Sequence, residues 1–386
     1  MDAPRKMGIE RRLLKLSPEF VKSITLIFGV CARINQHPAQ FISRARTLSA
    51  RKFGLAGQIH LQDETMLRSL LIFLSKAAWA QRLITSWGLA WRAASRFVAG
   101  EEVDDAIRVV RELNAKGINT SLDYLGENTS TAEEADTATE KILLIFNEIE
   151  KSGVRSNVSI KLTQIGMGLD EEICRQNLAR LLDQVKKSKN FLRLDMEDTP
   201  YTDITLTLYR AMLERGFNSD QLGLVMQAYL YRTEADLRML LENGARLRLV
   251  KGAYNEPPDK AYLKKADTDA NYDLLAKIMI DAAQKIESNT VSEDGRVPPI
   301  TAIASHDDNR IAFAKQYAEK VGLPKNAIEF QMLYGIRRDL QEQLVKDGYL
   351  VRVYIPFGAQ WYPYFMRRLA ERPANIWFFV SNYFRG

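Results

Sequence analysis

Arg246-Leu-Arg-Leu-Val-Lys-Gly-Ala-Tyr254 is a short apolar run interrupted by cations. A stretch of helical period, residues 234–243, precedes it and stops at Gly244; another, residues 262–286, follows. A run of this length between two helical stretches reads as one strand of a strand–helix alternation. The same alternation continues outward in both directions. Upstream runs occupy residues 119–126, 158–166, 191–198 and 222–229; downstream runs occupy 300–306, 328–335 and 350–358. That makes eight. Helical stretches at 131–151, 170–187, 202–215, 309–321 and 337–346 lie between them. Gly216, Gly244, Gly322 and Gly348 fall just past four helices, where a left-handed residue is needed. Eight βα units predict an α/β fold, a (β/α)8 TIM-type barrel, with a doubly wound open sheet as the alternative. The widest interval between runs contains a loop at 288–299.

The 386 residues suit one large barrel with an appendage, here expected as a basic helical extension at 1–100 before a barrel at 101–386. Net charge is +6, unevenly spread. Residues 1–100 carry 16 Lys and Arg against 5 Asp and Glu, whereas the remainder carries 38 against 43. A basic head on an acidic body points to an anionic surface such as membrane lipid or nucleic acid. Solvated helix faces are the plainer reading. The first sixty residues are also Arg-rich and acid-poor, as organelle presequences are. No stretch is long and apolar enough to span a bilayer, because Arg68, Lys76, Arg82, Arg92 and Arg96 break residues 67–98. Trp79, Leu83, Trp87 and Trp91 among those cations suit a helix lying on a membrane, or one packed on the barrel. Two cysteines, Cys31 and Cys174, give no disulfide framework, and a reducing compartment is expected.

Barrel enzymes work at the C-terminal ends of their strands. Those ends supply Lys161 and Thr163, Asp195 and Glu197, Gln227 and Tyr229, then Arg248, Lys251 and Tyr254. Ser305-His306, Glu329 with Gln331, and Arg352 with Tyr354 complete the set. Polar residues inside apolar runs are costly unless paired, so this many predicts a functional mouth. Metal catalysis is not expected: histidines number three, and Asp195 and Glu197 are read as alternating across their strand. Lys161 or Lys251 could act as a Schiff-base nucleophile, as in a barrel lyase or aldolase. Neither a G-x-G-x-x-G after a strand nor a P-loop is present. A flavin fits the mixture of cations, polar groups and approachable backbone at Lys251-Gly252-Ala253. Farther on, Arg367 and Arg368 sit with Tyr364 and Tyr354, a set suited to a small carboxylate with an apolar body.

Ser159-Ile-Lys-Leu162, Leu194-Asp-Met-Glu197, Arg248-Leu-Val-Lys-Gly-Ala-Tyr254, Ala304-Ser-His306, Glu329-Phe-Gln-Met-Leu-Tyr-Gly335 and Tyr364-Phe-Met-Arg-Arg-Leu-Ala-Glu371 together closely resemble proline dehydrogenase in its monofunctional bacterial form. The resemblance covers roughly residues 85–380. It implies a distorted barrel holding FAD, which oxidises L-proline to Δ1-pyrroline-5-carboxylate and passes electrons to membrane quinone. It also implies a cytoplasmic protein, peripheral at the inner face of the cell membrane, with no nucleic-acid partner. By motif, Arg367 and Arg368 would pair with the proline carboxylate with help from Lys161, while Tyr354 and Tyr364 would wall the ring. Asp195 would brace this cluster through Lys161 or an arginine. Arg248 would sit by the reactive nitrogen of the flavin, and Met196, Gln227, Lys251, Gly252, Ala253, Ser305 and His306 would line the cofactor. Asn255 departs from the tryptophan that many members have, and residues 1–60 match nothing in the family pattern.

Overall fold

The computed structural model describes residues 94–286 and 290–371, with Leu71, Leu74, Ser75, Ala77, Gln81, Trp91 and Arg92. The chain divides into two compact units, residues 87–362, and residues 1–86 together with 363–386. The first contains the barrel. Its strands are β1 (Asn119–Tyr124), β2 (Ser156–Ile160), β3 (Leu192–Leu194), β4 (Leu222–Gln227), β5 (Arg246–Val250), β6 (Thr301–Ala304), β7 (Ile328–Leu333) and β8 (Leu350–Phe357). They close in sequence order, every neighbour parallel. The seam runs from Asn119 opposite Arg352 to Tyr124 opposite Phe357. The eight-stranded barrel is therefore correct, and the open sheet is not.

Helix α1 (Val103–Ala115) leads into β1, and α2 (Ala132–Ser152), α3 (Glu171–Lys187), α4 (Thr199–Glu214), α5 (Thr233–Glu242), α6 (Lys265–Ala283), α7 (Asp308–Val321) and α8 (Arg338–Lys346) follow successive strands. Local chemistry sets their ends. Thr131 accepts from the Glu134 amide at the start of α2, and Glu134 reaches back to the Ser130 amide. Asp170 and Asp307 cap α3 and α7 in the same way. Gly216, Gly244, Gly322 and Gly348 all take positive φ, as their places past helix ends require.

Strand alternation sorts side chains into two environments. Leu122, Val158, Leu194, Leu224, Leu247, Leu249, Ile303 and Phe330 are fully buried and belong to the apolar core shared with the helices. Their neighbours in sequence, Ser121, Ser159, Arg193, Arg248 and Glu329, are buried too, but polar, as is Arg352 between Val351 and Val353. Such an interior is stable only where its hydrogen bonds are made. The N-terminal end of the barrel meets part of this demand with the loop at 290–299. Asn157 donates to the Arg296 carbonyl at 2.9 Å, Arg352 to that of Gly295 at 2.8 Å, and Arg246 to that of Pro298 at 2.6 Å. This loop is the barrel floor. The opposite end carries the candidate chemistry.

Candidate active site

Arg248 stands at the centre of the C-terminal half. Its alternate position on β5 turns it inward, opposite to Leu247 and Leu249. Its Nη1 donates to Asp195 Oδ1 at 2.9 Å, Nη2 to Ser159 Oγ at 3.0 Å, and Nε to Gln331 Oε1 at 2.6 Å. Tyr354, from β8, donates its hydroxyl to the other Asp195 oxygen at 2.7 Å, and its ring lies 5.3 Å from the Arg248 guanidinium. Asp195 is thus paired with Arg248 and Tyr354. With side chains only 5% and 15% exposed, Arg248 and Asp195 form an ion pair largely removed from solvent screening. Burial, with Asp123 and Asp195 nearby, pushes the Tyr354 phenol far above its usual range. It stays protonated and donating.

Lys161 ends β2 beside a second carboxylate group. Its ammonium lies 3.6 Å from Asp123 and 3.7 Å from Glu127. Burial works against its charge, but Asp123, Glu127 and Asp195 outweigh that and raise its pKa. Asp123, inward on β1 and 1% exposed, is shifted upward by burial, opposed by Lys161. Its Oδ1 is buried without a hydrogen-bond partner. Asp123 was absent from the residues expected at the strand ends, although an aspartate inside the run 119–126 is the same kind of signal as Asp195.

Several expected mouth residues are elsewhere. Glu329 and Arg352 form a fully buried ion pair at 2.8 Å, and Arg352 also reaches the Thr120 carbonyl and the floor loop. They sit early in β7 and β8, so they belong to the lower barrel. Asp195 and Glu197 do diverge, but not by alternation, since residues two apart on a strand share a face. Strand β3 stops at Leu194, and Glu197 turns to the Thr163 amide at 3.0 Å and hydroxyl at 2.5 Å. Among the described residues no three His, Cys, Asp or Glu side chains cluster as a metal site.

The remaining expected residues lie on the C-terminal ends of β3 to β6. Met196 is buried, and Gln227 donates to the Glu197 carbonyl at 2.8 Å. Lys251 is held by Asp269 at 2.5 Å and Asp307 at 2.7 Å. Gly252 has φ 115°, and a Cβ there would meet the Tyr229 ring at 2.3 Å. Its lack of a side chain therefore serves a close approach within the protein. Ala253 is exposed. Ser305 accepts from the Asp307 amide at 3.1 Å, and His306 Nε2 accepts from the Leu333 amide at 3.0 Å, placing its ring proton on Nδ1.

Tyr364, Arg367 and Arg368 lie on α9 (Trp361–Glu371), in the part of the chain from 363 onward that belongs to the other unit. Within α9 the Arg368 guanidinium sits 5.2 Å from the Tyr364 ring. Trp79, Leu83 and Trp87 lie outside the described residues. Trp91 packs edge-on against Trp361, with ring centroids 5.3 Å apart. No helix among the described residues is long and apolar enough to cross a membrane.

Comparison with known proteins finds consistent matches. A family model described as proline dehydrogenase matches residues 106–380. Proline dehydrogenase 1 of Bacillus subtilis is 38% identical over 316 residues, covering 82% of this chain and 98% of its own. Proline dehydrogenase of Deinococcus radiodurans is 38% identical over 299 residues, covering 77% and 91%. The crystal structure of proline utilization A from Bdellovibrio bacteriovorus, inactivated by N-propargylglycine, superposes with a TM-score of 0.66 at 26% identity. That match covers 79% of this chain but 36% of the larger protein.

Proposed function

We infer the chemistry of this barrel mouth from one premise: the chain belongs to the proline dehydrogenase family. It is an oxidoreductase of proline catabolism. Beyond this, our reading is that L-proline is oxidised to Δ1-pyrroline-5-carboxylate with FAD as hydride acceptor, and that a quinone finally receives the electrons. The observation that carries it is the ring of contacts joining Asp195, Arg248 and Tyr354 beside Lys161.

The donor set suits FAD. Arg248 and Lys251 bring cations to the end of β5, while Gln227, Ser305 and His306 bring polar groups from β4 and β6. Met196, Gly252 and Ala253 would complete the lining. When bound, FAD supplies the ring that accepts hydride. The protein has to bind proline, fix its orientation and favour loss of its amine proton. Holding a reacting carbon at near-attack distance can contribute about 7–11 kcal/mol. In our reading Arg367, Arg368 and Lys161 fix the carboxylate, Tyr354 and Tyr364 bound the pyrrolidine ring, and Asp195 keeps Arg248 and Tyr354 in register.

The lyase or aldolase reading is disfavoured by the same contacts. A Schiff-base lysine must be neutral to attack. Lys161 is kept charged by its carboxylates, and Lys251 is clasped between Asp269 and Asp307. The deciding experiment is an anaerobic absorbance titration of the purified protein with L-proline. Flavin bands that bleach stoichiometrically are expected. A protein that stays colourless after incubation with FAD would sink the reading, whereas borohydride trapping of a carbonyl substrate would favour the lyase.

A further inference from the structure

A continuous column of hydrogen bonds connects the barrel floor to the mouth. Arg352 holds the Gly295 carbonyl of the floor loop with Nη2 and donates from Nε to Glu329 Oε1. Gln331 Nε2 donates to that same oxygen at 2.6 Å, and Gln331 Oε1 accepts from Arg248 Nε at 2.6 Å. Gln331 is 4% exposed, Glu329 wholly buried. Glu329 Oε1 accepts from both Arg352 and Gln331, and Arg248 can only donate. A neutral amide is therefore suited to join them, and its orientation is fixed by both neighbours. We propose that Gln331 is a positioning residue, which sets the in-plane orientation of the Arg248 guanidinium by tying it to the Glu329–Arg352 pair.

This rests on the reading that Arg248 serves the flavin. A side chain with one hydrogen bond can swing about it, whereas three contacts in the guanidinium plane cannot all be kept after rotation. Ser159 and Asp195 hold the two Nη atoms, and Gln331 holds Nε. Removing the third contact leaves Arg248 able to tilt toward Asp195, without removing its charge. The expected consequence is a loss of catalytic rate and a shift in flavin potential, with little change in proline affinity.

The test is a cycle of Gln331→Met and Arg248→Met in the flavin-loaded enzyme, reading kcat, KM and the flavin midpoint potential by spectroelectrochemistry. Gln331→Met should lower kcat about tenfold and leave KM within about twofold. Its potential should move in the same direction as that of Arg248→Met. In the Arg248→Met background it should change neither, because residues acting through one another are non-additive. Equal fold losses in both backgrounds, or no loss in the first, would overturn the proposal. If Gln331→Met does not fold, the swap Glu329→Gln with Gln331→Glu reads the same question. It keeps both links and the net charge, and should approach the parent, whereas Gln331→Glu alone sets two carboxylates against each other and should not. A swap no better than that single variant would also count against it. An Arg248→Met protein with unaltered flavin potential would instead refute the underlying placement of Arg248.

Discussion

At the scale of residues, chemistry decides which signals were legible before the fold was known. Arg248, Asp195 and Lys161 stand out in the sequence because charge inside an apolar strand demands an explanation. The roles of Glu329 and Arg352 did not, because the same signal marks a structural pair in the floor as readily as a reactive group at the mouth. Only their register early in β7 and β8 separates the two. Asp307 offers a direct test of the cluster around Lys251. Burial would raise its pKa, but Lys251 and the Asn309 amide hold it down at about 2. Its ionised form thus contributes stability above the ordinary carboxylate pKa of about 3.9, and that contribution disappears as pH falls toward 2. Asp307→Asn keeps the cap on α7 and loses the charge. Thermal unfolding should show a lower Tm at pH 7 and a flatter loss between pH 4 and 2; parallel curves would remove Asp307 from the acid response. Arg367→Met and Arg368→Met address the substrate. Each should raise KM for proline roughly 10–100-fold, the equivalent of losing a charge-assisted hydrogen bond of about 1.5–3 kcal/mol, with flavin content unchanged. Loss of flavin in both variants would show that their ligand is different.

At the scale of elements, the eight runs were readable because period and length distinguish strand from helix, and glycine marks where helices stop. Strand limits were less so. The run 191–198 yields only three strand residues: the Asp195 amide still bonds the Ile160 carbonyl of β2, but Glu197 beyond it turns to Thr163, a contact that no local pattern encodes. The turn after β5 is a further case. Gly252 reads in sequence as backbone open to a ligand, yet its left-handed conformation brings it against Tyr229. Gly252→Ala must strain both the backbone and the ring, and should cost about 1–3 kcal/mol. Chemical denaturation would measure this; an unchanged midpoint would mean that the β5 turn relaxes freely.

At the scale of the whole molecule, charge asymmetry is the feature that sequence reports best. The basic segment 1–100 is followed along the sequence by a body with more acidic than basic groups, and the proposed quinone acceptor gives that asymmetry a use. The full chain should therefore sediment with vesicles containing anionic lipid, and release as salt rises, because surface attraction is screened over about 8 Å at physiological ionic strength. A chain lacking residues 1–86 that sediments equally well would exclude the segment as the anchor. The floor loop at 290–299 has a different implication. With Asn157, Arg246 and Arg352 all bound to its carbonyls, the loop ties β2, β5 and β8 together beneath the barrel, so whatever unsettles it unsettles three staves at once. A slackened keystone there would let the whole cask loosen from below, although no reactive group among the described residues lies near it.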